Sequence, residues 1–207
     1  IILTTDHGIS HVRDKQFLYD GGIHVPLIIR WPSVIKPGTI RDDMVSLIDV
    51  SASSLYMAGI KIPEYIQGRT LFGDYFKPRE YIFAARDRCD ETTDRIRCVR
   101  TKDFKYIRNF MPDRPYLQPN RYKDSKQITK TMRELYEKGQ LTEAQSMIFA
   151  ETKPIEELYD LKKDPYEINN LATDPEYKNV LLNMRSVLEN WIRNTNDGGQ
   201  LPESKES

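Results

Sequence analysis

The stretch that decides the fold is Ile1 to Pro26, IILTTDHGISHVRDKQFLYDGGIHVP. It opens on a β-branched apolar run, Ile1-Ile2-Leu3-Thr4-Thr5, too short for a helix and without alternation. Such a run predicts a strand buried on both faces, of the kind found in parallel sheets. Asp6, His7 and Gly8 follow at once, so a carboxylate, an imidazole and a permissive turn residue stand at the strand's carboxyl end, where open α/β sheets bind ligands. Lys15 adds a cation nine residues after Asp6, and Tyr19-Asp20-Gly21-Gly22 turns the chain into a second apolar run from Val25 to Trp31. Two candidate metal ligands and an anion-seeking lysine therefore share one strand end.

Outward from this segment, Pro32, Pro37 and Gly38 mark a loop. SLIDVSASSLYMAGI then predicts a short helix carrying Leu55 and Met57, capped by Asp49 or Ser51 and closed by a left-handed Gly59. The Pro- and Gly-rich connection from Ile62 to Pro78 sets a boundary, giving residues 1–78 as the end of an α/β domain. Beyond it, Tyr81 to Ala85, Ile96 to Thr101 and Phe104 to Arg108 read as an antiparallel sheet with a Lys102-Asp103 turn. NFMPDRPYLQP, from Asn109 to Pro119, reads as a fixed irregular loop. A helix with Ile128, Met132, Leu135 and Tyr136 should stop at Gly139, and a second should start at Thr142 with Gln145 completing a capping box. ELYDL, from Glu157 to Leu161, is a strand that can rejoin the sheet. Asp174 and Pro175 start a long helix whose stripe, Tyr177, Val180, Leu181, Met184, Leu188, Trp191 and Ile192, is expected on the antiparallel sheet. These elements form a C-terminal subdomain over 79–196, followed by a polar tail, 197–207, expected to be disordered.

At 207 residues the chain can bury a sizeable core, and its opening on an apolar strand reads as the C-terminal part of a longer protein. The 31 basic and 31 acidic side chains cancel, so no net charge points to nucleic acid. No apolar run approaches the roughly 18 residues of a membrane span. Cys89 and Cys98 lack the number and spacing of a zinc site or a disulfide framework; they can pair across a hairpin or stay free.

Each candidate residue has an ordinary explanation beside the chemical one. Asp-His-Gly is also a common turn, and Lys15 also suits a solvated surface. Held over a cleft, however, a lysine can neutralise a tetrahedral oxyanion or assist a leaving group. In Arg86-Asp87-Arg88-Cys89-Asp90-Glu91 the alternating charge fits a salt-bridged, solvated face. Alternatively Arg86 and Arg88 bind anionic groups of a sugar chain and Asp87 accepts hydroxyls, with Arg100 and Lys105 extending the patch.

In order and spacing, LTTDHG, Lys15, LYDGGIHVPLIIRWP, SLIDVSASSLYMAGI and ELYDLKKDPYEINNLA resemble the C-terminal part of a type I, formylglycine-dependent sulfatase, from Ile1 to about Ala172. FAARDRCDETTDRIRCVRTKDFKYIR and NFMPDRPY are most similar to bacterial sulfatases of the heparan N-sulfatase-like kind. The resemblance implies an alkaline phosphatase-like fold and hydrolysis of a carbohydrate sulfate ester or sulfamate, with a sulfated saccharide as substrate. It also implies a calcium site including Asp6 and His7, and Lys15 on the sulfate and its bridging oxygen. His24 stands where many members carry arginine, so a sulfate-binding role and a packing role both stay open. The family's location implies a periplasmic, secreted or lysosomal protein. The C/S-x-P/A-x-R motif that yields formylglycine is absent, since Cys89 is followed by DETT and Cys98 by VRTK. This chain alone is therefore expected to be inactive. The rival expectations are a phosphodiesterase or phosphonate monoester hydrolase of the same wider group, and a non-catalytic module binding anionic glycans.

Overall fold

A computed structural model describes residues 1–199. In chain order the elements are β1 (Ile2–Thr4), α1 (Asp20–Ile23), β2 (Leu27–Ile29), α2 (Ile48–Met57), β3 (Ile82–Cys89), β4 (Thr92–Arg100) and β5 (Phe104–Asn109). There follow α3 (Arg121–Asp124), α4 (Gln127–Glu137), α5 (Glu143–Ser146), β6 (Glu156–Asp160) and α6 (Lys178–Asn194). Two compact units result, one of residues 1–6 and 27–82, the other, among the described residues, of 7–26 and 83–199. No helix among the described residues is long and apolar enough to cross a membrane.

In the first unit β1 pairs with β2, Ile2 opposite Ile29 and Thr4 opposite Leu27. The pair is antiparallel, which corrects the parallel strand expected from the apolar run. Antiparallel neighbours need no helical crossover between them. Nor is β1 buried on both faces, since Leu3 and Ile28 are more than half exposed. Helix α2 starts at Ile48, so Asp49 lies inside its first turn instead of capping it. The Asp49 carboxylate accepts the backbone N–H groups of Ser46 (2.9 Å) and Arg69 (2.8 Å) and pairs with Arg79 through Nε at 2.7 Å. Ser51 does not cap either; its hydroxyl bonds the Ile48 carbonyl at 2.8 Å. Gly59 ends the helix at φ +70°, as expected of a left-handed glycine.

The second unit is built on a four-stranded sheet in the order β3-β4-β5-β6. Cys98 faces Ile107 across the β4–β5 pair, and Tyr106 faces Leu158 across β5–β6, both pairs antiparallel. The strand expected to stop at Ala85 runs on to Cys89 and turns at Asp90, which sits at φ +51°, so the charged run 86–91 is the end of a hairpin. Side chains alternate across a sheet. One face therefore carries Ile96, Cys98, Arg100, Lys105, Ile107, Asn109, Glu157 and Tyr159, and packs its apolar members on Val12, Phe17, Leu18, Tyr19, Tyr116, Leu117 and Ile148. The other face carries Arg97, Val99, Tyr106 and Leu158 toward α6, whose Leu181, Met184 and Leu188 are buried. Trp191 of α6 stacks on Phe83 at 5.0 Å between centroids.

The terminal helix begins as the expected cap, with Asp174 accepting Glu176 N–H at 2.9 Å, but its first turn, Pro175–Tyr177, is 3₁₀. Thr142 and Gln145 form the expected capping box, yet α5 lasts one turn before the 3₁₀ segment Met147–Phe149. Asp197 is not loose: it accepts from the buried Arg97 at 2.5 Å (Nε) and 3.0 Å (Nη2). Residues 200–207, where the rest of the expected polar tail falls, lie outside the described residues. Cys89 and Cys98 are free thiols, and burial pushes the Cys98 thiol up to about 12.

Candidate active-site loop

Residues 7–26 form a loop wrapped around the single helical turn α1, which replaces the simple Gly-Gly turn expected from sequence. Gly8 N–H bonds Gly22 carbonyl at 2.9 Å, and a Cβ on Gly8 would fall 1.7 Å from the Gly21 carbonyl oxygen. A Cβ on Gly22 would fall 2.2 Å from the Phe17 oxygen and 2.4 Å from that of Asp14. The two glycines thus let α1 touch the chain on both sides of Lys15. Phe17, Leu18 and Tyr19 bury their side chains in the core and root the loop in the sheet.

Asp20 ties this turn to the strands. Its carboxylate takes Arg100 Nε at 2.9 Å, Arg100 Nη2 at 2.8 Å and Lys105 Nζ at 2.6 Å. Lys105 is completely buried and also reaches Glu167 at 2.7 Å, while Glu167 accepts Asp20 N–H at 2.6 Å. Burial would raise the Asp20 carboxyl pKa, but the Arg100 guanidinium and the Lys105 ammonium hold it well below the usual range. For Glu167 burial wins over Lys105 and the pKa is raised. Glu167 adopts φ +56°, a left-handed conformation uncommon outside glycine, which its enclosing contacts maintain. Arg13 closes the ring of contacts by donating to the carbonyls of Tyr166 (2.6 Å) and Glu167 (2.5 Å).

A second anchor comes from α3. Asn120 Oδ1 caps it by accepting Lys123 N–H at 2.8 Å, and the buried Lys123 ammonium donates to the His11 carbonyl. Burial, opposed mainly by Asp14, pushes the Lys123 ammonium down to about 8. Beside it, Lys15 places its ammonium 4.4 Å from the centroid of the Tyr122 ring.

The residues singled out from sequence are distributed as follows. Asp6 is exposed, and the half-buried His7 sets Nδ1 2.7 Å from the Gly8 carbonyl oxygen. The His24 side chain is 74 % exposed with Nδ1 3.7 Å from Asp20. Arg86 is buried, its guanidinium 5.1 Å from the Phe17 centroid, and among the described residues its Nε and Nη1 have no hydrogen-bond acceptor. Asp87 pairs with Arg97 at 2.9 Å, whereas Arg88 is exposed and donates to the Asp90 carbonyl at 3.3 Å. Arg100 and Lys105 point inward to Asp20, so they do not extend a surface patch around Arg86 and Arg88. Sequence reasoning assigned no role to Asp20, Glu167, Tyr122 or Lys126. The first two lie in quoted motifs, YDGG and DPYE, where a carboxylate beside turn residues was the available signal.

The family resemblance implies a calcium ion at Asp6 and His7. Calcium takes six to eight oxygen ligands. Among the described residues no group of three or more His, Cys, Asp or Glu side chains could hold a metal ion. Asp6 and His7 do not by themselves make up such a shell.

The family model described as "N-sulphoglucosamine sulphohydrolase, C-terminal" matches residues 7–150. The chain is 41% identical over 201 residues to an ulvan-active sulfatase of Formosa agariphila, covering 97% of this chain and 34% of that protein. It is 26% identical over 215 residues to human N-sulphoglucosamine sulphohydrolase, covering 95% and 42%. A solved structure of a 2-O GAG sulfatase aligns with a TM-score of 0.67 at 21% identity, over 98% of this chain and 38% of that one. The chain spans about a third of the length of the curated relatives it matches. Fold and family agree: the chain belongs to the sulfatase family, as a C-terminal part of its alkaline phosphatase-like fold.

Proposed function

We propose that this chain is part of a hydrolase of sulfuric esters or sulfamates on sulfated carbohydrate, in which the 7–26 loop presents Lys15 to the sulfate. The observation that carries the reading is the match to the sulfatase family model over this very loop and strands β3 to β5 of the sheet that anchors it. Asp6 and His7 would contribute to holding a divalent cation, calcium in the family, which when bound supplies charge to polarise the sulfate. The Lys15 ammonium offsets charge that develops on the leaving oxygen, and its compact, mobile head suits that task. No Cys or Ser among these 207 residues stands in a C/S-x-P/A-x-R motif, so the nucleophile would be supplied from outside them. The substrate proposed is a sulfated saccharide, and the compartment periplasmic, secreted or lysosomal.

The test is made on the full-length protein. Lys15→Ala should reduce kcat on a sulfated sugar by about a hundredfold or more, the effect of removing one stabilising donor. Unchanged turnover removes Lys15 from the mechanism. Phosphodiester and phosphonate monoester substrates, assayed alongside, should be hydrolysed far more slowly; faster hydrolysis of either would assign the protein to the phosphoryl-transfer class.

A further inference from the structure

Lys15 does not meet the Tyr122 ring alone. Lys126 brings its ammonium to 4.3 Å from the same centroid, against 4.4 Å for Lys15. The two cations are no farther apart than the sum of those distances, and like charges this close repel. The ring's quadrupole offsets part of that repulsion. Among the described residues neither ammonium is paired with a carboxylate. The acidic neighbours are engaged elsewhere: Asp14 lies 3.5 Å from His11, and Asp124 takes Arg133 at 2.9 Å and Asn120 N–H at 2.9 Å. Both lysines stand on fixed backbone, Lys15 N–H bonding the Ile9 carbonyl and Lys126 N–H that of Lys123, each at 3.0 Å. The buried Lys123 ammonium, close enough to Lys15 to feel its charge, adds a third positive group.

We propose that Lys126, aligned with Lys15 on the Tyr122 ring, recognises a second anionic group of the saccharide, either another sulfate or a uronate carboxylate, beside the sulfate under attack. The proposal rests on the reading of Lys15 given above. It refines the substrate class to a saccharide with two anionic groups, on one sugar or on two adjoining sugars. Tyr122 is a positioning residue here: its ring fixes where both cations point.

The experiment uses the full-length protein and three probes: a monosulfated sugar without other charge, its disulfated counterpart, and the monosulfated sugar joined to a uronate. Lys126→Gln should raise KM about tenfold for one of the doubly charged probes relative to the monosulfated one, the size of one charged hydrogen bond. The probe affected identifies sulfate or carboxylate as the group recognised. Lys126→Arg should restore most of the difference, and rising ionic strength should shrink it. Lys130→Gln, an exposed change on α4, controls for bulk charge. Equal KM changes on all three probes, or none, would overturn the proposal. Loss of the Lys15 reading appears separately, as unchanged turnover in Lys15→Ala on every probe.

Discussion

Replacing Asp20 by Asn tests whether the ion network under the loop holds it in place. The substitution keeps the size of the side chain and one acceptor oxygen while removing the charge that faces Arg100 at 2.8–2.9 Å and Lys105 at 2.6 Å. Lys105 is fully buried, so it cannot turn to water for compensation. Breaking a buried pair costs on the order of 3–5 kcal/mol. Glu167 stays on Lys105 and the Asp20 side chain is 18 % exposed, so the lower end, about 3 kcal/mol, is expected. Denaturant unfolding of wild type and variant reads the difference directly. Its pH dependence carries a sign. The folded-state pKa of Asp20 lies below its unfolded value, so the contribution is complete above the unfolded pKa of about 3.9 and disappears as pH falls through the folded pKa. The gap between the two proteins should therefore be flat from pH 5 to 7 and close in acid. A gap under 0.5 kcal/mol at pH 7, or one that persists unchanged at pH 2, would refute the argument.

The same face of the sheet holds a second test. Glu157, almost wholly buried, accepts hydrogen bonds from the hydroxyls of Tyr19 (2.9 Å), Tyr116 (2.9 Å) and Tyr159 (2.6 Å) and from Asn109 Nδ2 at 2.7 Å. Tyr159→Phe should cost about 1.5–3 kcal/mol in unfolding free energy, the value of one hydrogen bond to a charged group. Glu157→Leu, which strands all four donors, should cost more than any single Tyr→Phe change, and a neutral Glu157→Leu would contradict this. The thiols give a third: Cys98 is buried with its pKa raised, Cys89 half-buried, so a thiol reagent at pH 8 should label Cys89 at least tenfold faster. Equal rates would mean that the sheet opens readily.

Much of this was legible from residue order. Period-2 alternation exposed the strands around Cys98 and Ile107, helical spacing exposed α6, and the positive-φ glycines Gly59 and Gly139 stood where helix ends were expected. What failed, failed where charge lies inside. Lys105 reads from sequence as part of a surface patch and nothing local marks Arg97 or Glu157 as buried, but both faces of the central strands are covered, one by the loop and one by α6. A propensity pattern records only that a side chain is charged; whether an opposite charge waits for it in the interior depends on residues far away in sequence, as Asp20 is from Lys105.

By itself, then, the sequence determined the family and the main strands and longer helices of the C-terminal unit, because these rest on local periodicity and on motif order. Only the tertiary structure decided that β1 pairs antiparallel with β2, that α1 is clamped through Asp20 to two strands some eighty residues away, and that Lys15 shares Tyr122 with Lys126. Those facts are pairings between distant side chains, fixed by how the elements pack and written in no local stretch of the chain.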